Sequence, residues 1–158
     1  WQLHFCGYVG GELPPIDMDR EAKMMAFART QIRSGNIAAS KNLGSGGLAL
    51  TLAKMLLAGR APDGSGGVGL IADQVHFEDS SREGYFGEST CAMVVATSPA
   101  NRLEFQKAAE DAGIPAQSIG QTGGERFQFG SINLSMNALY SAWSTCLNHL
   151  MGSSQTQD

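Results

Sequence analysis

Apolar residues along this chain recur at two periods, one helical and one alternating, and the changes of period mark out the elements. Ala22, Met25, Ala28 and Ile32 share one helical face. Asp17 or Asp19 can cap their helix and Gly35 can stop it, so a helix is predicted to about Ser34. Ile37 to Ser40 is a short apolar run that reads as a strand. From about Ser45 to Ala58 the pattern is helical and apolar on most sides, with Leu48, Leu50, Leu52, Met55, Leu56 and Leu57 against only Thr51 and Lys54, which predicts a buried helix. Val68, Leu70 and Ala72 alternate as a strand after a turn-rich loop at 59–67, and a polar connection follows over 73–84.

The second half continues in mixed order. A strand is expected from Cys91 to Thr97, then a helix starting at Ser98-Pro99 and ending at Gly113-Ile114-Pro115. Two short strands, at about 116–121 and 125–130, flank Gly123-Gly124. Ser135 can cap a last helix with Leu139, Ala142, Trp143, Cys146 and Leu150 at helical spacing. Residues 1–17, rich in Gly and Pro, should be a strand or extended entry followed by a loop. Helices and strands mix without regular β-α-β alternation and without an internal repeat, which predicts a layered α+β domain over residues 1–150 with a disordered tail at 151–158.

Composition narrows the class. The 158 residues suit one core, and no apolar run approaches the roughly 18–20 residues of a membrane helix. The net charge is -4 and the 11 basic residues are scattered, whereas a nucleic-acid surface needs them clustered. No nucleic acid and no membrane are therefore expected as partners; a small molecule or a protein is. Cys6, Cys91 and Cys146 lie far apart, are odd in number and form no C-x-x-C pair, so they read as reduced thiols in a cytoplasmic protein. The chain opens at Trp1 in an apolar segment that reads more like mid-domain than a free terminus.

Two tempting motifs lose to structural readings. Gly64-Ser65-Gly66-Gly67-Val68-Gly69 spells G-x-G-x-x-G, but a dinucleotide site needs a strand before it and a helix after it, and here the predicted order is reversed. His76-Phe77-Glu78-Asp79 offers too few metal ligands, with His4 and His149 remote in sequence. No metal site is assigned, and no nucleophile elbow or local catalytic signature is present.

Two other segments carry more. In Lys41-Asn42-Leu43-Gly44-Ser45-Gly46-Gly47-Leu48 the glycines fall directly before a helix, where unpaired N–H groups and the helix dipole favour an anion and small residues let it approach the backbone. The opposing explanation is that Gly46 and Gly47 merely let a buried helix pack tightly. Tyr85-Phe86-Gly87-Glu88-Ser89-Thr90 sets a carboxylate and two hydroxyls around a glycine; it is either a polar ligand contact or a bend with a solvated Glu.

In this order and spacing the two segments resemble the C-terminal domain of the aminoimidazole ribonucleotide synthetase superfamily, most closely the phosphoribosylformylglycinamidine synthases of purine biosynthesis. That family carries His-Asp-apolar-Ser-Asp-Gly-Gly-Leu at the start of a helix ending Ala-Glu-Met-apolar-apolar-Ala-Gly; here the corresponding residues are Lys41 to Leu48 and Ala53-Lys54-Met55-Leu56-Leu57-Ala58-Gly59. Phe86-Gly87-Glu88-Ser89, Ala112-Gly113-Ile114-Pro115, Ile119-Gly120, Gly123-Gly124, Leu139 to Trp143 and the lead-in Gly11 to Asp17 extend the likeness over about residues 5–150.

The resemblance implies a mixed β-sheet with helices packed on its faces. It also implies a role in an ATP-dependent ligase that converts the amide oxygen of formylglycinamide ribonucleotide to an amidine, with ammonia from a glutaminase partner. Lys41, Ser45, Gly46, Gly47, Gly87, Glu88 and Ser89 then become candidates for contacts to that substrate or another phosphate-bearing molecule. ATP and Mg2+ belong to the full-length enzyme and are not expected to bind this domain alone, because the ATP-binding N-terminal half is missing. The 158 residues alone should have no synthase activity, and no catalytic residue is assigned. Lys41, Asn42 and Ser45 replace the family's His, Asp and second Asp, which weakens any cation role. The alternative implied by that loss is a stand-alone non-catalytic paralogue acting as a ligand-binding or protein-interaction module.

Overall fold

The computed structural model describes residues 7, 9–10, 15–61, 65–73 and 82–152. The expected entry strand lies almost wholly outside them, as do His76 to Asp79 and the end of the tail beyond Gly152. The chain forms two compact units, Trp1–Met55 with Phe77–Ser118, and Leu56–His76 with Ile119–Asp158.

The first unit begins with α1, Met18–Arg33, capped by Asp17, whose carboxylate accepts the Arg20 N–H at 2.9 Å. Gly35 follows its C-cap, and the next amide, Asn36 N–H, reaches back to the Gln31 carbonyl at 3.0 Å, closing a Schellman turn. The inward face differs from the predicted one: Ala28 and Gln31 are buried, with Met24 and Phe27 half-buried beside them, whereas Met25 and Ile32 are 41% and 49% exposed. The reason is the Phe27 ring, which packs at 5.6 Å on Phe105 and turns the helix about its axis. Buried Gln31 is matched by buried Asn36, whose amide donates to Gln31 Oε1 at 2.9 Å and to Glu104 Oε1 at 3.3 Å. This polar group ties the end of α1 to α4, Arg102–Asp111.

Strand β1, Ala39–Asn42, starts two residues later than the apolar run suggested and pairs antiparallel with β3, Met93–Ala96. Helix α2, Gly47–Leu57, is buried at Ala49, Thr51, Leu52, Ala53 and Leu56, as its nearly all-apolar pattern required. A short helix, α3, Arg82–Phe86, ends a connection read from sequence as polar loop. Helix α4 begins after Asn101 rather than at Pro99, because the Asn101 N–H bonds Ser98 through both its carbonyl, at 3.1 Å, and its hydroxyl, at 3.2 Å, closing a turn first.

The second unit is built on a mixed sheet in the order β4-β2-β5-β6, from Gln121–Thr122, Leu70–Ala72, Arg126–Phe129 and Ile132–Ser135. Strand β5 lies where expected beyond Gly123-Gly124, but β4 is only Gln121–Thr122 instead of about 116–121, and the two do not pair with each other: β2 lies between them, antiparallel to β4 and parallel to β5. The register puts Leu70, Ala72, Phe127 and Phe129 on one buried face and Ile71, Gln121, Gln128 and Asn133 on the other. Strand β6, absent from the sequence expectation, returns from β5 through the two-residue loop Gly130-Ser131, with the positive φ of 55° at its first position that a tight hairpin favours.

Ser135 caps α5, Met136–Gly152, accepting the Ala138 N–H at 3.1 Å, and α5 packs on β5 and β6. Its first turn is buried at Met136 and Leu139 is half-buried, but Ala142, Trp143 and Cys146 of the expected apolar face are exposed, Trp143 at 54%. Among the described residues no helix is long and apolar enough to cross a membrane. The fold is α+β with a mixed sheet.

Phe129 is fully buried in the second unit, while Leu134, on the outer strand, is 42% exposed. Phe129→Ala should therefore cost about 3–5 kcal/mol in denaturant unfolding and Leu134→Ala clearly less; equal losses would contradict the contrast in burial between the central strand β5 and the edge strand β6.

Candidate functional site

Both candidate segments belong to the first unit, and the structure brings them together. Lys41 and Asn42 finish β1 opposite Val94 and Met93, and the Leu43 N–H continues the ladder to the Ala92 carbonyl at 2.9 Å. The chain then turns, the Gly47 N–H bonding the Gly44 carbonyl at 2.9 Å and the Leu50 N–H the Gly46 carbonyl at 3.3 Å. Gly46 and Gly47 stand at φ of 89° and 62°, the left-handed region where a side chain is strained. Gly47 is buried as well: a Cβ there would lie 2.6 Å from the Gly87 carbonyl oxygen and the Phe86 carbonyl carbon, and 2.8 Å from the Phe86 Cα. The glycines thus serve a tight turn and a close backbone approach at once.

The second segment starts at the end of α3, anchored by buried Tyr85, whose ring meets Phe86 edge-on at 6.3 Å. Gly87 is half-buried, while Glu88 and Ser89 are exposed. Thr90, counted from sequence among the hydroxyls open to a ligand, donates instead to the Pro15 carbonyl at 3.0 Å. Cys91 follows with a positive φ of 54°, and its thiol lies 3.4 Å from the Asp17 carbonyl that begins α1. A hydrogen bond with the Glu21 carboxylate, then burial, push the Cys91 thiol above its ordinary range. The strand expected from Cys91 begins only at Met93, and the left-handed backbone of Cys91 has no local sequence signature.

Lys41, Ser45, Glu88 and Ser89 are all exposed. The two segments meet where Gly47 approaches the main chain of Phe86 and Gly87. The exposed groups are one ammonium, one carboxylate and two hydroxyls, flanking a helix start. Such a set offers donors to a phosphate and only one hard anionic ligand to a cation, so it does not suit Mg2+. No group of three or more His, Cys, Asp or Glu among the described residues could hold a metal. Gly66 and Gly67 sit in a loop between α2 and β2, an order opposite to that of a dinucleotide fingerprint.

A family model described as AIR synthase related protein, C-terminal domain, matches residues 5–133. The chain belongs to this family. Phosphoribosylformylglycinamidine synthase subunit PurL of Methylocella silvestris is 36% identical over 119 residues, which cover 75% of this chain and 15% of the relative. The subunit of the same name from Nitratiruptor sp. is 36% identical over 133 residues, 84% of this chain and 17% of its own. The chain spans less than a fifth of the length of these curated relatives. Among solved structures, Thermotoga maritima PurL complexed with FGAR has a TM-score of 0.65 over 81% of this chain and 22% of that one, at 17% identity, which shows the shared fold. The T. maritima protein complexed with ATP has a TM-score of 0.59 over 75% of this chain and 21% of its own.

The thiolate is the nucleophile in alkylation, so a thiol with a raised pKa reacts slowly at mildly alkaline pH. With iodoacetamide at about pH 8 and peptide mass spectrometry as readout, Cys91 should label several-fold more slowly than exposed Cys146, and Glu21→Gln should narrow the gap. Unchanged Cys91 labelling in that variant would remove Glu21 as the cause.

Proposed function

We propose that this chain is the C-terminal domain of a phosphoribosylformylglycinamidine synthase or a close relative, and that it supplies phosphate contacts to an active site whose ATP-binding and principal catalytic groups lie in the remainder of the full-length enzyme. The observation that carries this reading is the direct packing of the Gly47 helix start on the Phe86–Gly87 backbone, which sets the two family-like segments side by side. The ligase relatives' identity over most of the chain supports the reaction class.

In that reaction the terminal phosphoryl group of ATP passes to the amide oxygen of formylglycinamide ribonucleotide. Ammonia then forms the new C–N bond as the C–O bond breaks and phosphate leaves with the oxygen. The protein's share of such chemistry is positioning and charge stabilisation. Here Lys41 supplies a positive charge for a phosphate group, Ser45 and Ser89 supply hydroxyl donors, and the glycines at the start of α2 let the ligand approach main-chain N–H groups. Glu88, an acceptor, suits a ribose hydroxyl or an amine of the ligand rather than its phosphate. Cation binding, ATP binding and ammonia supply fall to the rest of the enzyme and its glutaminase partner, and the purine-pathway setting is cytoplasmic.

Isothermal calorimetry of the chain with ribose 5-phosphate and with ATP separates this reading from the non-catalytic module suggested by the altered loop. Micromolar binding of the sugar phosphate is expected, and Lys41→Ala should weaken it by about tenfold, the loss of one charge-assisted contact. Silence toward both ligands, or binding indifferent to Lys41, would withdraw the phosphate site and favour an interaction module.

A further inference from the structure

We propose that Gly47 is a positioning residue: having no side chain, it sets how closely the Gly87–Ser89 loop stands to the start of α2, so that the two segments move as one ligand-facing unit. The ligand half of this statement rests on the phosphate-site reading above; the mechanical half does not.

The three atoms nearest a Cβ at Gly47 are all main chain. A Cβ would press on the Gly87 carbonyl oxygen, the Phe86 carbonyl carbon and the Phe86 Cα, at 2.6, 2.6 and 2.8 Å. Side chains yield by changing rotamer, whereas main-chain atoms yield only by moving the segment that contains them. This segment has little room to move as a whole. At one end Phe86 closes α3 beside buried Tyr85, and at the other Thr90 is held to the Pro15 carbonyl and Cys91 lies against the Asp17 carbonyl. Between those anchors lie Gly87, Glu88 and Ser89, which belong to no regular element. A push at Gly47 is therefore taken up by the residues proposed to face the ligand.

Gly46 provides the control. It has the same left-handed backbone, with φ 89° against 62°, and directly precedes the helix that Gly47 begins, but the three atoms nearest a Cβ there all belong to the Leu50 side chain. Gly46→Ala and Gly47→Ala thus share the conformational strain and differ in whether the loop is displaced. Asn tolerates the left-handed region better than other residues with a side chain, so Gly46→Asn and Gly47→Asn form a second matched pair should the alanine variants fold poorly.

The test compares amide NMR spectra of the parent chain and each matched pair, followed by titration with ribose 5-phosphate. Substitution at Gly47 should shift the Glu88 and Ser89 amides, which lie beyond the point of contact, and weaken the sugar phosphate by about tenfold, as misplaced contacts do. Substitution at Gly46 should leave those amides in place, since no loop contact is disturbed. Unmoved Glu88 and Ser89 amides in the Gly47 variants, or equal shifts from both sites, would overturn the positioning role. Shifted amides with unchanged affinity in a parent chain that binds would overturn the single ligand-facing unit. If the parent chain does not bind the sugar phosphate, the phosphate-site reading fails, and the amide shifts alone still decide whether Gly47 positions the loop.

Discussion

The main chain at the start of α2 approaches the main chain at Phe86–Gly87 so closely that only a hydrogen atom fits between them. Hydrogen bonds or salt bridges can lengthen by tenths of an ångström at small cost, but a steric floor between two backbones cannot. It obliges residue 47 to be glycine, and the left-handed φ of 62° at the same residue makes the same demand independently. Much of the first unit follows from this contact. The turn from Gly44 to Gly47 carries the chain from the β1–β3 ribbon into a buried helix, and the loop after α3 rests against that turn.

That loop is held from a second direction by the entry to α1. Thr90 and Cys91 contact the carbonyls of Pro15 and Asp17, and Asp17 in turn caps the helix through its carboxylate. A hydroxyl that looked available for ligand chemistry is thereby committed to structure. The groups left exposed are Lys41, Ser45, Glu88 and Ser89, a set with more donors than anions.

The parts of the fold that were legible depended on short-range physics. Asp17 and Ser135 cap their helices because a side-chain oxygen reaches an amide three residues on, an event contained within one turn. Gly35 and Gly113 end α1 and α4 for an equally local reason, the amide beyond each glycine bonding back into the last turn. The Gly130-Ser131 hairpin was also legible in principle, since a two-residue loop opening with glycine between apolar positions is a recognised signal; β6 was overlooked because its four residues run into the cap of α5.

Sequence alone determined the α+β class, the caps of α1 and α5 and the stops of α1 and α4, the buried character of α2, and the two glycine-bearing segments whose order identified the family. Tertiary structure alone decided which of those features meet. Periodicity states that a helix has an apolar face, but the Phe27–Phe105 contact selected the face of α1 that turned inward. Alternation states that β4 and β5 are strands, but the insertion of β2 between them joins residues far apart in the chain, which no local window contains. The same holds at Gly47. Its sequence neighbours explain a turn, whereas the reason that no side chain is tolerated comes from Phe86 and Gly87, brought there only by the folded chain.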